Sequence, residues 1–403
     1  MIVVNTQNEK KEFGNLVEFY KWLLINKSVD ELVINDKDAM DLYSFFKFYF
    51  EVKKKCELEL NKINKEFISE NDNKLVKKAI NELIRMNSDG KFLRASLIAL
   101  GYLSANKNDD YYLPLAAAYE TFQTAILIHD DIIDNATIRR GKNTIPKVYN
   151  DELETISDNS SSFKIKKEHL SNSLGVCIGD LGFYFANKII LDNYNNSPKL
   201  SNILSLYNKI VINTIKGEII DVLLPFKEEY EKNISLEEDV MEIYKLKTAW
   251  YTIIGPYELG MAFSDFSEEQ IKKIEGILYN LGVAFQIKDD ILGIFGNEVE
   301  LGKSASSDIS EFKQTILYTY VSKNNKEKLK ELHKYYGKSE LTKENLDSVK
   351  EIFITTGALE YSNNMMNKLF VESKEKLETI DFIEEDKKSV LRGFITYLNL
   401  RNK

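Results

Sequence analysis

The stretch Ile126-Leu127-Ile128-His129-Asp130-Asp131-Ile132-Ile133-Asp134 sets three carboxylates in an apolar run. At 100° per residue, Asp130 and Asp134 fall about 40° apart on one helical face, one turn from each other. Two carboxylates about 5 Å apart at an effective dielectric near 20 repel by roughly 3 kcal/mol. Inside an apolar helix that repulsion is relieved by protonation, by Lys or Arg partners, or by divalent cations. A solvated acidic face would have polar flanks, whereas these flanks are Ile and Leu. A second stretch, Ala284-Phe285-Gln286-Ile287-Lys288-Asp289-Asp290-Ile291-Leu292-Gly293, repeats the arrangement. Paired oxygen ligands suit Mg²⁺, which keeps waters and shares its coordination with substrate phosphates.

Around these clusters the chain reads as helical. Its 403 residues include 5 Pro and 18 Gly, below the ordinary usage of about 5% and 7%. That scarcity favours long helices over a sandwich or barrel rich in tight turns. Hydrophobic residues make up 43% and charged residues 29%, which is globular composition. Residues 93–103 and 113–133 read as buried helices, and residues 42–86 as a heavily charged helical stretch. Helical patterns resume at 169–193, 200–224, 236–263 and 268–295. Residues 1–40 form an N-terminal extension with no catalytic constellation. Residues 41–403 form a single all-helical domain with a polar loop near 150–168, which includes the run 157–162.

The net charge of −9 and pI near 5.3 exclude nucleic acid and anionic membrane as partners unless basic groups gather locally. Cys56 and Cys177 form neither a disulfide framework nor a zinc pattern. The N-terminus lacks the apolar core of a signal peptide. The most apolar window, residues 249–263, carries Pro256 and Glu258 and is too short to span a bilayer. A soluble, cytoplasmic protein with no transmembrane segment is expected.

Basic residues interleave with the acidic clusters. Gly90-Lys91-Phe92-Leu93-Arg94 puts Lys91 and Arg94 three apart at a helix start, and Arg139-Arg140-Gly141-Lys142 follows the first acidic set. Lys247-Thr248 precedes an apolar run, while Gly302-Lys303 and Lys313 follow the second acidic set. A carboxylate–Mg²⁺–diphosphate bridge would let an acidic chain hold such an anion.

In order and spacing these segments resemble the trans-isoprenyl diphosphate synthases, the farnesyl and geranylgeranyl diphosphate synthase family, from about residue 85 to the C-terminus. Gly90-Lys91-x-x-Arg94, Asp130-Asp131-x-x-Asp134 and Arg139-Arg140 match the first motifs, and Gly179-Asp180 and Gly217-x-x-x-Asp221 match lesser landmarks. Lys247-Thr248 and Phe285-Gln286-x-x-Asp289-Asp290, with Gly302-Lys303 and Asp308-Ile309 beyond, match the later ones. Two positions depart: Glu218 stands where Gln is usual, and Gly293 where many members carry a third aspartate.

The resemblance implies an all-α bundle of mostly antiparallel helices around a central cavity, faced by both acidic sets, and a homodimer. It implies a prenyltransferase that condenses isopentenyl diphosphate head-to-tail with dimethylallyl, geranyl or farnesyl diphosphate. The expected catalytic residues are Asp130, Asp131, Asp134, Lys247, Asp289 and Asp290. Three Mg²⁺ per active site would be ligated by Asp130, Asp134 and Asp289. The allylic diphosphate would meet Arg139, Lys247, Thr248, Gln286, Lys303 and Lys313. The diphosphate of isopentenyl diphosphate would meet Lys91, Arg94, Gln123 and Arg140.

Short-product members carry bulky aromatics four and five residues before the first aspartate; here Ile126 and Ala125 stand there, which leaves the near floor open. Phe122 lies about 12 Å deeper along the helix, so a twenty-carbon product is expected, with farnesyl diphosphate as intermediate or co-product. Two rivals stand beside this reading. A terpene cyclase would lack the Gly90–Arg94 and Arg139-Arg140 sites for a second substrate. A weakly active modulatory subunit would form no product alone.

Overall fold

Helices make up most of the described residues, as the few Pro and Gly residues predict. The computed structural model describes residues 1–6, 10–26, 32–70, 73–88, 90–105, 107–155, 166–226, 236–296, 307–338 and 341–401. Gly302, Lys303 and the polar run 157–162 lie outside these described residues. By internal packing the chain divides into two compact units: residues 52–99 with 109–204, and residues 1–51 with 100–108 and 205–403.

The helices in chain order begin with α1 (Leu16–Ile25), α2 (Lys37–Ser69), α3 (Lys74–Asn87), α4 (Leu93–Leu103) and α5 (Leu113–Ile133). They continue with α6 (Ile145–Glu154), α7 (Lys167–Tyr194) and α8 (Leu200–Leu223). The bounds of α4 and α5 are those their apolar patterns predict. The charged stretch 42–86 instead divides into α2 and α3, because Asn73 caps α3 by accepting from the backbone N–H groups of Leu75 and Val76.

In the unit of residues 52–99 and 109–204, α5 is the buried axis. Its Ala116, Ala117, Ala118, Tyr119 and Phe122 are fully buried, and α7 runs against it. The close approach follows from Gly175, Gly179 and Gly182 of α7, which face Ile132, His129 and Ala125 of α5. A β-carbon on Gly182 would sit 2.9 Å from that of Ala125, so side chains on both helices would force them apart. By length and composition alone, α7 could cross a bilayer, with a mean hydropathy of 1.4. It packs on α5 and α6, with 39% of its apolar window buried.

Past α5 the chain forms a hairpin of β-strands, Ile138–Arg139 paired with Lys142–Asn143. The two turn residues, Arg140 (φ 53°) and Gly141 (φ 73°), take the left-handed conformations that such a two-residue turn demands.

In the other unit, residues 2–5, 10–13 and 33–34 form a three-stranded antiparallel sheet with the first strand central. This sheet, which includes the β-branched run Ile2-Val3-Val4, and α1 lie within the N-terminal extension. Tyr20 of α1 packs against Phe46 of α2. Residues 236–263 form α9 (Leu236–Ile243), a π-helical segment (Tyr244–Ile254) and α10 (Gly255–Met261). The long α11 (Glu268–Phe295) starts at a capping box of Ser267 and Gln270 and lies along the π segment. There Gly282 meets Ala249 so closely that a β-carbon on the glycine would overlap it. Further helices are α12 (Ile316–Asn324), α13 (Lys326–Leu332), α14 (Lys343–Thr355), α15 (Ala358–Glu378) and α16 (Glu385–Leu400).

Candidate active site

The first acidic set sits where α5 ends. Asp134 is the C-cap, and its backbone N–H donates to Asp130 O at 2.8 Å, which puts the two aspartates one turn apart. Asp130 and Asp134 are half-buried, whereas Asp131 is 1% exposed. Arg139, on the hairpin, donates from Nε to Asp131 Oδ1 at 2.6 Å and from Nη2 to Asp130 Oδ2 at 3.0 Å. Burial pushes the Asp131 carboxyl up to about 6, against the pull of Arg139. Burial acts against the charge of Arg139, yet Asp131 and Asp130 outweigh it and raise its pKa.

Three of the four residues expected at isopentenyl diphosphate, Arg94, Gln123 and Arg140, meet in the same unit. With its amide turned to satisfy its neighbours, Gln123 accepts from Arg94 Nη1 at 3.0 Å and Arg140 Nη2 at 3.1 Å. Its nitrogen then donates to Glu120 Oε2 at 2.9 Å. Lys91 is exposed at the head of α4. Glu120 was missed by sequence reasoning. Buried at 2% exposure, it accepts from the backbone N–H of Ala95 at 3.1 Å and ties the start of α4 to α5. Burial raises its pKa, and Arg94 is the leading charge that opposes the shift. A carboxylate interrupting the apolar run 113–133 was the available signal, the one that singled out Asp130.

The second acidic set belongs to the other unit. Asp289 is half-buried on α11, and the next residue, Asp290, is 4% exposed. Asp290 accepts from the Tyr244 hydroxyl and from Gln286 Nε2, the latter at 2.8 Å. Gln286 Oε1 in turn accepts from Thr248 Oγ1 at 2.5 Å, while Tyr244 Oη accepts from the backbone N–H of Ile316 at 2.9 Å. Burial pushes Asp290 up to about 8, although both hydrogen bonds act to lower it. In both Asp-Asp pairs the first carboxylate is accessible and the second is a buried anchor.

Lys247 Nζ pairs with Asp221 at 2.7 Å and Glu218 at 2.6 Å. Gly217 lets α8 reach the π segment, since a β-carbon there would lie 2.6 Å from the Lys247 backbone nitrogen. At the Gly293 departure a neighbouring carboxylate lies close. A β-carbon there would overlap Asp308 Oδ2. Lys313 pairs with Glu311 at 2.7 Å. Asp289 meets Arg401, a residue no local pattern singled out. Among the described residues four non-glycines hold positive φ (Phe92, Asn135, Arg140 and Phe312), each in or beside an expected functional motif, where backbone strain tends to concentrate.

Among the chain-length candidates, Phe122 is fully buried, with its ring 5.3 Å from Tyr119 and 5.6 Å from Phe183. Ala125 is fully buried against Gly182, so its small size serves the α5–α7 contact. Ile126 is half-buried.

The donor set suits a hard divalent cation. Asp130, Asp134 and Asp289 offer only carboxylate oxygens, and the buried Asp131 Oδ2 has no hydrogen-bond partner among the described residues. Among those residues no three acidic, histidine or cysteine groups converge as a ready-made cage. Mg²⁺ held through one or two carboxylates and substrate phosphate needs none.

A family profile described as polyprenyl synthetase matches residues 73–353. The chain is similar to a short chain isoprenyl diphosphate synthase of Methanocaldococcus jannaschii, 26% identical over 264 residues, covering 65% of this chain and 72% of the relative. It is 29% identical over 290 residues to a geranylgeranyl diphosphate synthase of Saccharolobus solfataricus, covering 72% and 79% of the two chains. A solved geranylgeranyl pyrophosphate synthase of Corynebacterium glutamicum, complexed with isoprenyl diphosphate and magnesium, superposes with a TM-score of 0.76 at 27% identity. That match takes in 87% of this chain and 98% of the other. The profile spans more than half of the sequence and carries both acidic sets, and on that ground the chain belongs to the polyprenyl synthetase family of prenyltransferases.

Proposed function

We propose that this enzyme condenses isopentenyl diphosphate with allylic diphosphates in a Mg²⁺-dependent reaction and releases geranylgeranyl diphosphate, with farnesyl diphosphate as intermediate or co-product. The observation that supports this reading is a pair of chemically distinct side-chain clusters in one unit. One is the carboxylate pair Asp130 and Asp134 with Arg139; the other is the amide-and-guanidinium cluster of Gln123, Arg94 and Arg140. A terpene cyclase, with one diphosphate substrate, has no use for the second.

In this mechanism Asp130, Asp134 and Asp289 would hold magnesium, which would supply positive charge for the departing allylic diphosphate. Arg139, Lys247, Thr248, Gln286, Lys303 and Lys313 hold that diphosphate. Lys91, Arg94, Gln123 and Arg140 orient isopentenyl diphosphate so that its double bond faces the allylic carbon. Asp131 and Asp290 act from beneath, fixing Arg139 and Gln286 through the hydrogen bonds described. The apolar interior of α5 excludes water from the carbocation. The final proton passes to the departed diphosphate, so no histidine is required.

The exposed face of α8 supports a homodimer: Ile212, Ile215, Ile219 and Val222 are each at least 44% exposed and follow the three-four spacing of a helix-pairing seam. A soluble, cytoplasmic protein fits the composition.

The test is incubation of the purified protein with isopentenyl diphosphate, each allylic primer and Mg²⁺, followed by product sizing and by light scattering for the dimer. Twenty-carbon product that disappears on chelation is expected. No product from the lone protein would favour the modulatory subunit.

A further inference from the structure

Arg401 follows the last turn of α16 and turns back onto α11. The residue is 5% exposed. Its Nη2 contacts Asp289 Oδ1 and also donates to Phe285 O at 3.3 Å. The guanidinium carbon lies 3.8 Å from the centroid of the Phe285 ring, a cation–π stack that holds the plane in place. Lys288 Nζ donates to Asn399 O at 3.3 Å, a second tie between the same two helices. Asp289 stays 39% exposed at its side chain, so the guanidinium covers only part of the carboxylate.

A divalent cation on Asp289 would stand next to a like charge, and repulsion at that range in a part-buried setting is strong. Cation and guanidinium therefore compete for one carboxylate. Arg401 also has a buried Nε–H with no acceptor among the described residues, so its donor capacity is only partly used where it now lies.

We propose that Arg401 is a positioning residue that holds Asp289 in the cation-free enzyme and competes with the divalent cation for that carboxylate. This rests on Asp289 being a cation ligand, as the proposed function has it. The pairing keeps the accessible aspartate oriented before the cation arrives. Its cost is a weaker apparent cation affinity.

The experiment measures Mn²⁺ binding to the full-length protein by the loss of its free electron paramagnetic resonance signal, with inorganic pyrophosphate present and no prenyl substrate. Arg401→Gln keeps the bulk and removes the charge, and it should bind Mn²⁺ about threefold to tenfold more tightly. Arg401→Lys should stay close to the wild type. Phe285→Leu, which removes the ring beneath the guanidinium, should give a smaller gain of the same sign and serves if Arg401→Gln does not fold. In an Asp289→Asn background the gain should vanish, because the competition has no object. Unchanged or weaker affinity in Arg401→Gln, a gain that survives Asp289→Asn, or no Mn²⁺ binding at all would each overturn the proposal. Failure of the wild type to elongate prenyl chains would instead overturn the catalytic reading, by a separate assay.

Discussion

A β-carbon on Gly179 would fall within the imidazole of His129, so only a hydrogen at that position lets the two residues pass. His129 immediately precedes Asp130, and its Nε2 lies 3.2 Å from Val176 O and 3.5 Å from Asp180 Oδ1. The Gly179-Asp180 pair therefore fixes the end of α5 from the α7 side. Gly179→Ala should displace the ring, destabilise the protein by about 1–3 kcal/mol and slow elongation as the carboxylates shift. Thermal denaturation and product formation check this. A variant as stable and active as the wild type would show that the helices part there without cost.

Asp130 is the accessible member of its pair and shares Arg139 with Asp131. Asp130→Ala removes the carboxylate proposed to bear a cation and leaves the buried Asp131 paired. Turnover should fall by orders of magnitude, while the melting temperature changes little. Steady-state elongation with isopentenyl and farnesyl diphosphates measures it. Unchanged turnover would remove the first acidic set from the mechanism.

Phe122 is fully enclosed, with Tyr119 and Phe183 against its ring. If that ring ends the space open to the growing chain, Phe122→Ala should shift product toward lengths above twenty carbons. The lost ring should also cost about 3–5 kcal/mol of stability, so Phe122→Leu is the milder companion. Product sizing by mass spectrometry decides, and an unaltered spectrum from both variants would place the floor elsewhere.

How much of this was legible in the sequence varies with range. The helices α4, α5 and α11 are readable because apolar positions recur without Pro to interrupt them. Asp130 and Arg139 lie nine residues apart, within reach of a motif. Arg401 meets Asp289 across 112 residues, and a lone basic residue near the chain end carries no local pattern. Ala125 shows a different limit. A small residue suits an open pocket floor and a close helix contact equally, and only the position of Gly182 distinguishes them. The short N-terminal strands, two to four residues each, offer too little alternation for a period to register. The π segment differs from an α-helix in hydrogen bonding and not in composition, so nothing in its residues announces it.

Glu258 of α10 is 7% exposed, and its Oε1 has no hydrogen-bond partner among the described residues. Burial pushes its carboxyl from 4.5 up to about 7; Glu275 adds to the rise, and Lys209 opposes it. Below pH 4.5 the group is protonated in both folded and unfolded chains and costs nothing. Between 4.5 and about 7 the unfolded chain releases this proton while the folded chain retains it, so stability falls as pH rises through that window. The loss is on the order of 3 kcal/mol once both forms are ionised. Glu258→Gln cannot titrate, so its advantage over the wild type should be small at pH 5 and approach the full amount by pH 8. Urea denaturation of both proteins in chelator across that range measures the difference. Parallel stability curves would show that water or a local shift already solvates this carboxylate in the folded protein.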